Sequence, residues 1–525
     1  MSEKEKLQKA IESTISAGYQ LNREAFAFLS SLATTDDPTV IMKVAVQRLQ
    51  ELPEKPFFID KSFLETLLEE PEDINETPQS QPEQRPTTSP QQGITQRTEE
   101  TTSGVAFFQP YARDIEPQIK IVEDPTDKLT SNGTIEDYLQ YFQDRFKRIE
   151  RLLRQRIDVK AATSISEALK SQTKTKLKII CMITDKREVK SQTILSVEDL
   201  QSNTTILVSN RAAEDLRKKA QSLMQDQVVC IAVVKTRTDL FLAEDIIFPE
   251  VVQKPRLRAS EPVYAVLTSD IHVGSNKFNK EAFKKFVFWL KGKYGNDKMR
   301  ELAGHVKYLL VAGDVVDGVG IYPNQEQELV IRDVNNQYKY ASKLLERIPE
   351  YIEIVITPGN HDSPRKALPM PAIPKEFLGN LHHSKRVHSL GDPSLISIHN
   401  IEILMYHGRS LDDVVAAVPG LSYNQPEKAM KLLLQGRHLA PLYGGKTLLS
   451  PESRDFLVID HVPDVFHSGH VHVTGLCNHR GVLIVNSGAW QDQTEYMQKL
   501  GLVPTPGKVP VINLQTLETT VLSFV

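Results

Sequence analysis

Cysteine is scarce: Cys181, Cys230 and Cys477 stand far apart in 525 residues. That spacing excludes a disulfide framework and a CxxC-type zinc motif, and it points to a reducing, intracellular setting. Long apolar runs are also missing, since none approaches the ~20 residues of a membrane span. The opening "MSEKEKLQKAIE" is charged from its third residue, so a signal peptide is not expected there. No sign of charge dominates. A net charge of −4 argues against a protein that grips nucleic acid through its overall field, while leaving room for a local basic groove. Histidine is absent from the whole first half, and all 14 lie between His272 and His479. Imidazole is the commonest metal ligand and the usual acid/base near neutral pH. The chemistry is therefore expected in the C-terminal half.

At this length several domains are expected. Residues 1–70 read as a small helical interaction unit, with Asn22 and Asp60 as N-caps and Pro38 at a helix start. Residues 71–109 form a Pro/Gln/Thr-rich linker, too poor in apolar side chains to offset the entropy of ordering, and are expected to be disordered. Residues 110–255 begin with an amphipathic helix, "GTIEDYLQYFQDRFKRIERLLRQR", in which Thr134 and Asp137 make a capping-box pair. Its arginines, Arg145 and Arg148 among them, read as a solvated basic face. The short runs "KLKIICMIT", "TTILVSN", "QVVCIAVV" and "LFLAEDIIF" then suit an OB-like β-barrel.

From 256 to 525 apolar runs alternate with helical patterns, which predicts a layered α/β domain. Each run ends in a polar cluster: "VYAVLTSDIH", "VKYLLVAGDVVDG", "YIEIVITPGNHD", "IEILMYHGRS" and "PDVFHSGHVH". Functional groups in such sheets gather beyond the C-terminal ends of strands. Those ends supply Asp270, His272, Asp314, Asn360, His361, His407, His470 and His472. Residues i and i+2 of an extended segment point to one side, so Asp270 with His272, and His470 with His472, read as paired ligands. A mixture of carboxylate, imidazole and amide oxygen suits Mn²⁺, Fe²⁺, Zn²⁺ or Ni²⁺, and Mg²⁺ less well. Asp317 and Asp362 read as groups orienting a histidine, or as turn formers. Arg409 and Ser410 follow His407 and are candidates for a phosphate contact. His382, His383 and His388 read as surface residues, and His467 as a turn residue.

The order D-x-H, G-D-x-x-D, G-N-H-D, H-G, G-H-x-H resembles the calcineurin-like metallophosphoesterases over roughly residues 262 to 495. The resemblance implies two divalent ions, Mn²⁺ first among the choices. Asp270, His272 and His472 would hold one and Asn360, His407 and His470 the other, with Asp314 bridging and His361 the catalytic residue facing the phosphate. The wording of "SDIHVGS", "AGDVVDGVG", "YHGRSLDD" and "LVPTPGKVPVINL", beside an OB-like barrel, further resembles the small subunits of archaeal family-D DNA polymerases. That family implies a 3′→5′ proofreading exonuclease and scaffold in a cytoplasmic, nucleoid-associated complex. Its partners would be a large catalytic subunit, DNA with a 3′ end and, through the complex, a sliding clamp. No membrane partner is implied. A catalytically silent structural subunit and a phosphatase of the same superfamily are the alternatives.

Overall fold

The computed structural model describes residues 108–237, 239–253, 255 and 257–525, together with 6–7, 10–11, 14, 20–21, 23–32, 37–51, 58–59 and 63–64. It separates into two units, Met1–Thr102 and Ser103–Val525. Asn22, Asp60 and most of the expected linker lie outside the described residues.

In the first unit the helices Arg23–Leu32 and Pro38–Glu51 bury Ala25, Leu29, Met42, Ala45 and Leu49. Pro38 opens its helix, where its missing N–H costs nothing. Asp37 just before it accepts the Thr39 N–H at 3.0 Å.

In the second unit the strand Val306–Ala312, "VKYLLVA", is buried at every residue, as a strand covered on both faces must be. It lies inside a six-stranded sheet ordered Val387–Ser389, Glu353–Thr357, Val306–Ala312, Tyr264–Thr268, Lys508–Asn513, Thr519–Ser523. The first four strands are parallel. A second six-stranded sheet runs Gly475–His479, Val482–Asn486, Val465–Ser468, Ile401–Met405, Ser394–Ile398, Ile119–Glu123. The two sheets face each other through Leu267, Leu310, Val355, Ile396, Ile403, Met405 and Val485. Helices Lys280–Leu290 and Val334–Leu345 cover the outer face of the first sheet, and Leu411–Ala417 and Pro426–Gly436 that of the second. The result is four layers, helix–sheet–sheet–helix, with two interior surfaces per sheet to exclude water.

The remaining strands close into a five-stranded barrel, Lys176–Val189, Gln192–Glu198, Asn203–Val208, Leu240–Ile247, Val228–Lys235. Gln192–Glu198, "QTILSVE", is not among the runs that stand out in the sequence. Its buried positions alternate, so half of its surface is polar and its apolar signal is diluted. The strand Ile119–Glu123, which precedes the barrel in sequence, pairs instead with Ser394–Ile398 at the edge of the second sheet.

Between barrel and sandwich lies the helix Ile135–Arg154, with the capping box of Thr134 and Asp137 in place. Phe146, Ile149 and Leu153 pack with Ile180, Val228, Cys230 and Ile247 of the barrel and with Val458 of the sandwich. Arg145 and Arg148 are not on a solvated face. Both are buried, and Arg145 donates to Asp455 at 2.8 Å and Arg148 to Asp460. A helix packed from two sides buries residues that periodicity assigns to water.

Candidate metal centre

Parallel strands deliver their C-terminal ends to one edge of the sandwich, and the polar clusters follow those ends. Tyr264–Thr268 leads to Asp270 and His272, Val306–Ala312 to Asp314 and Asp317, and Glu353–Thr357 to Asn360 and His361. From the facing sheet, Ile401–Met405 leads to His407, and Val465–Ser468 to His470 and His472.

The turns there are tight. Asp270, His272, Asp314, His470 and His472 all have positive φ, from 52° to 72°. Left-handed backbone is uncommon outside glycine, and clusters of it mark sites where geometry is imposed by the surroundings. Asp270/His272 and His470/His472 therefore do not lie in extended segments, contrary to the expectation from alternation. Left-handed kinks, not an extended pleat, turn these side chains inward. Two glycines make the closeness feasible. A Cβ on Gly359 would overlap the Asp314 carboxylate, and one on Gly469 would overlap Ser269 and Asp270.

The donor atoms converge in overlapping groups. Asp270, His272 and His472 form one set, Asp314, His407 and His470 another, and His272, Asp314 and His361 a third. His472 Nε2 lies 3.3 Å from Asp270 Oδ1 and 3.0 Å from His272 Nε2. Asp314 Oδ2 lies 3.3 Å from His407 Nε2 and 3.7 Å from His272 Nε2, which places it between the two sides. Asn360 Oδ1 is 3.1 Å from His407 Nε2.

Neighbours fix which nitrogen faces inward. His407 Nδ1 donates to the Ala312 carbonyl at 2.9 Å, which leaves Nε2 for the cluster. His361 Nδ1 donates to the Asp317 carbonyl at 2.7 Å. His272 Nδ1 faces Asp317 Oδ1 at 2.9 Å, and the carboxylate also accepts from the amides of Gln325 and Gln491 at 2.9 and 3.0 Å. A carboxylate behind a ligating imidazole holds its tautomer and raises its basicity.

The electrostatics call for positive charge at this point. Burial alone would lower His272, but the carboxylates of Asp270, Asp317 and Asp314 outweigh it and raise the imidazole to about 10. Burial of His407 is likewise outweighed, chiefly by Asp314, and that ring is also raised to about 10. Protons there do what divalent ions would do better: offset clustered carboxylates among nitrogen lone pairs that point at one another. The donor set, carboxylate plus imidazole plus one amide oxygen, fits borderline divalent ions. His361 behaves differently, because burial pulls it down to about 4 against the attraction of Asp314. Its Nε2, 4.0 Å from Asp314 Oδ2, is an uncharged nitrogen facing the cleft.

The other sequence candidates divide. Asp317 is placed to orient His272. Asp362 does not touch a histidine side chain. Its carboxylate accepts the N–H groups of Gly359, Val315 and Val316 at 2.9, 3.2 and 3.3 Å and the Tyr338 hydroxyl at 2.9 Å, tying two ligand loops together. Arg409 lines the cleft and pairs with Asp412 at 3.1 Å. Ser410 faces away: it is buried, donates to the Leu439 carbonyl and meets the Tyr406 hydroxyl at 2.9 Å, so a phosphate contact is excluded by its position. His467 is not a turn residue. It sits in the strand Val465–Ser468, fully buried, 3.1 Å from Ser487 Oγ, and burial lowers it to about 3. His382 and His383 are exposed, while His388 reaches Glu353 at 2.9 Å.

Several residues escaped sequence reasoning. Asp412 stands 3.4 Å from His470 Nε2, and its only signal is its place beside the motif in "HGRSLDD". Gln491, Lys446, Tyr322, Tyr423 and Tyr496 line the same cleft. Tyr496 lies in the short helix Glu495–Lys499 and the others in connections with no periodic pattern, and only tertiary packing brings them here.

The chain matches known proteins over most of its length. The family of B subunits of DNA polymerases alpha and epsilon matches residues 265–473. The chain is 38% identical to the DNA polymerase II small subunit of Archaeoglobus fulgidus, over 75% of this chain and 78% of that one. It is 40% identical to the DNA polymerase II small subunit of Methanothermobacter thermautotrophicus, over 77% of this chain and 82% of that one. A solved archaeal phosphodiesterase aligns over 50% of this chain and 99% of its own at 14% identity and a TM-score of 0.26, too loose to weigh. Identity at this level over three quarters of both sequences, extending well beyond the candidate ligand motifs, places the chain in the family of archaeal DNA polymerase II small subunits.

Proposed function

We propose that this subunit is a two-metal 3′→5′ exonuclease that trims mismatched primer ends for a large catalytic polymerase subunit, which it also helps to scaffold. On this reading the layered sandwich is a calcineurin-like phosphoesterase and the barrel an OB-like module. The observation that carries the proposal is Asp314. Its carboxylate is shared between the His272 side and the His407 side of one cleft.

Asp270, His272 and His472 would hold one ion, Asn360, His407 and His470 the other, with Asp314 common to both. Mn²⁺ fits this donor set best, and Fe²⁺, Zn²⁺, Ni²⁺ and Mg²⁺ are the other choices. Two bound ions would clamp the phosphate, generate hydroxide near neutral pH and offset charge on the phosphoryl oxygens. The chain supplies the rest. Asp317 keeps the His272 Nε2 lone pair directed inward, and the Ala312 carbonyl does so for His407. His361, facing the cleft with Nε2 free, would protonate the departing 3′ oxygen or stabilise charge on the phosphoryl oxygens in the transition state. Arg409 and Lys446 at the cleft wall offset the charge of the neighbouring phosphates. DNA with a 3′ end is the substrate, and the polarity follows the family resemblance. A cytoplasmic replication complex, reaching a sliding clamp through its large subunit, is the setting.

The test is a 5′-labelled primer with a mismatched 3′ nucleotide, incubated with Mn²⁺ and with the wild type or Asp314→Asn, each alone and with the large subunit. A ladder shortening from the 3′ end, lost in Asp314→Asn, is expected. No shortening in any combination that still assembles would leave the chain a scaffold.

A further inference from the structure

The cleft holds a cavity of about 180 Å³ and opens to solvent. Its lining combines two kinds of residue: the candidate ligands with His361, Arg409 and Lys446, and an aromatic and aliphatic group of Tyr322, Tyr423, Tyr496, Met497, Leu500 and Leu502. The first kind accounts for phosphodiester chemistry, and nothing in that chemistry requires the second.

The aromatic group is ordered by specific contacts. The rings of Tyr322 and Tyr496 stack, with centroids 5.6 Å apart and planes 23° from parallel. Tyr322 also lies 6.3 Å from the His361 ring, centroid to centroid, so the stack begins beside that ring. Glu328 braces both partners. One carboxylate oxygen accepts the Tyr322 hydroxyl at 2.7 Å and the other the Glu495 N–H at 3.2 Å, one residue before Tyr496. Tyr496 is nevertheless 50% exposed, and Leu500, one turn further on, is 52% exposed. A ring stacked on Tyr322 and still half exposed leaves surface against which a further flat group can pack. Exposed aromatic and aliphatic surface held beside a polar cluster is what a nucleotide, with its charged phosphate and flat apolar base, would cover.

We propose that the exposed face of Tyr496, backed by Tyr322, is a platform on which the unpaired terminal base of a single-stranded nucleic-acid end stacks while its phosphodiester reaches His361. The inference rests on the nuclease reading above and adds the group that selects the substrate. Every base has a π-face, so stacking tolerates all four, as removal of any misinserted nucleotide requires. Met497, Leu500 and Leu502 bring no polar side-chain group to read a base edge. Selection instead falls on pairing state. A paired base must first leave its own stack to reach Tyr496, and a mismatched one leaves more cheaply.

The test uses the full chain and an oligonucleotide with 2-aminopurine, whose fluorescence is quenched by stacking, at its 3′ end. Hydrolysis is blocked by chelation. Quenching on binding is expected for wild type and for Tyr496→Phe, which keeps the ring, and is expected to be lost in Tyr496→Ala. Equal quenching in Tyr496→Ala, or none in wild type, overturns the platform. A second arm, with Mn²⁺ and with the large subunit present, compares kcat/KM on ends carrying a normal or an abasic 3′ nucleotide. Wild type is expected to favour the base-bearing end about tenfold or more, and Tyr496→Ala to lose that preference. Equal wild-type rates on the two ends would overturn the platform and leave the nuclease standing. No hydrolysis of either end would overturn the nuclease reading, and the fluorescence arm would then decide the platform alone.

Discussion

Two clusters of buried charge stand in the second unit, and they are built to opposite ends. At the seam between barrel and sandwich, Arg145 donates to Asp455 Oδ2 at 2.8 Å, to the Pro441 carbonyl at 2.7 Å, to the Tyr141 hydroxyl at 2.9 Å and to the Asp226 carbonyl at 3.3 Å. His438 completes it: Nδ1 accepts the Ala440 N–H at 3.1 Å, and Nε2 donates to Asp455 at 2.7 Å. Each group there has a protein partner of the opposite kind. In the cleft the arrangement is reversed. The two Nε2 atoms of His272 and His472 face each other at 3.0 Å, and Asp270 and Asp314 stand among ring nitrogens. Both clusters hold aspartate and histidine at near-zero exposure. Burial of charge therefore does not mark a site by itself. What marks it is whether the protein saturates its own donors and acceptors, or leaves them converging on a point that something else must fill.

Substitutions should separate the two. The largest effect is expected from Asp314→Asn, which removes the charge shared between both halves of the cleft. On the proposed two-metal reading, hydrolysis of a 3′-mismatched primer should fall by roughly 10³-fold or more, since a metal pair would supply several kcal/mol to the transition state. The rise in unfolding temperature on adding Mn²⁺ to the wild type should shrink or vanish in parallel. At the seam, Arg145→Met should cost about 3–5 kcal/mol in folding stability, because it leaves Asp455 buried without its guanidinium. Urea unfolding would measure that loss, and Mn²⁺ affinity should be unchanged. If Arg145→Met weakened metal binding as strongly as it weakened folding, the division between the clusters would fail.

The seam also predicts a pH dependence. Burial, reinforced by the Arg145 guanidinium, lowers His438 to about 4 despite Asp455. Protonating Nδ1 would set a proton against the Ala440 N–H. Between pH 6.5 and about 4 the unfolded chain takes up a proton that the folded chain refuses. Stability therefore falls as pH drops through that window and levels off below it, by about 3 kcal/mol at most from this group. His438→Gln should flatten that limb of the urea midpoint plotted against pH. An identical limb in the variant would show that His438 is protonated without penalty.

The cleft was legible in the sequence and the seam was not, for a physical reason. The candidate ligands of the cleft sit at strand ends, where apolar runs such as "VKYLLVA" stop at a polar cluster, so position along the chain already groups them. The seam joins Arg145 to Asp455, more than three hundred residues away, across two elements whose meeting no local pattern encodes. Its arginines look like any solvated helix face until the packing is known. The same limit hid Asp412 and Tyr496 and placed Ser410 wrongly, since a residue next to a ligand in sequence can face either side of a turn. It also left the backbone at Asp270 and His472 to be read as extended. Alternation predicts a pleat, and only crowding of loops around a common point forces left-handed turns.

The finest distinction comes from making one substitution in both places. Asp317→Asn and Asp455→Asn each remove a carboxylate that faces a histidine nitrogen, at 2.9 Å from His272 Nδ1 and 2.7 Å from His438 Nε2. In the cleft the amide oxygen can still accept from His272, so the ring keeps its place, but the charge that raises its basicity is gone. Mn²⁺ affinity, read from the metal dependence of hydrolysis and of thermal unfolding, should fall about 10–100-fold while metal-free stability shifts little. At the seam the amide must face both Arg145 and His438 without a charge to offer either. Stability should fall there, and the metal dependence should stay as it was. An Asp317→Asn protein that unfolded more easily but bound Mn²⁺ as before would place Asp317 with the seam, as a fold residue, and remove the support it is taken to give His272.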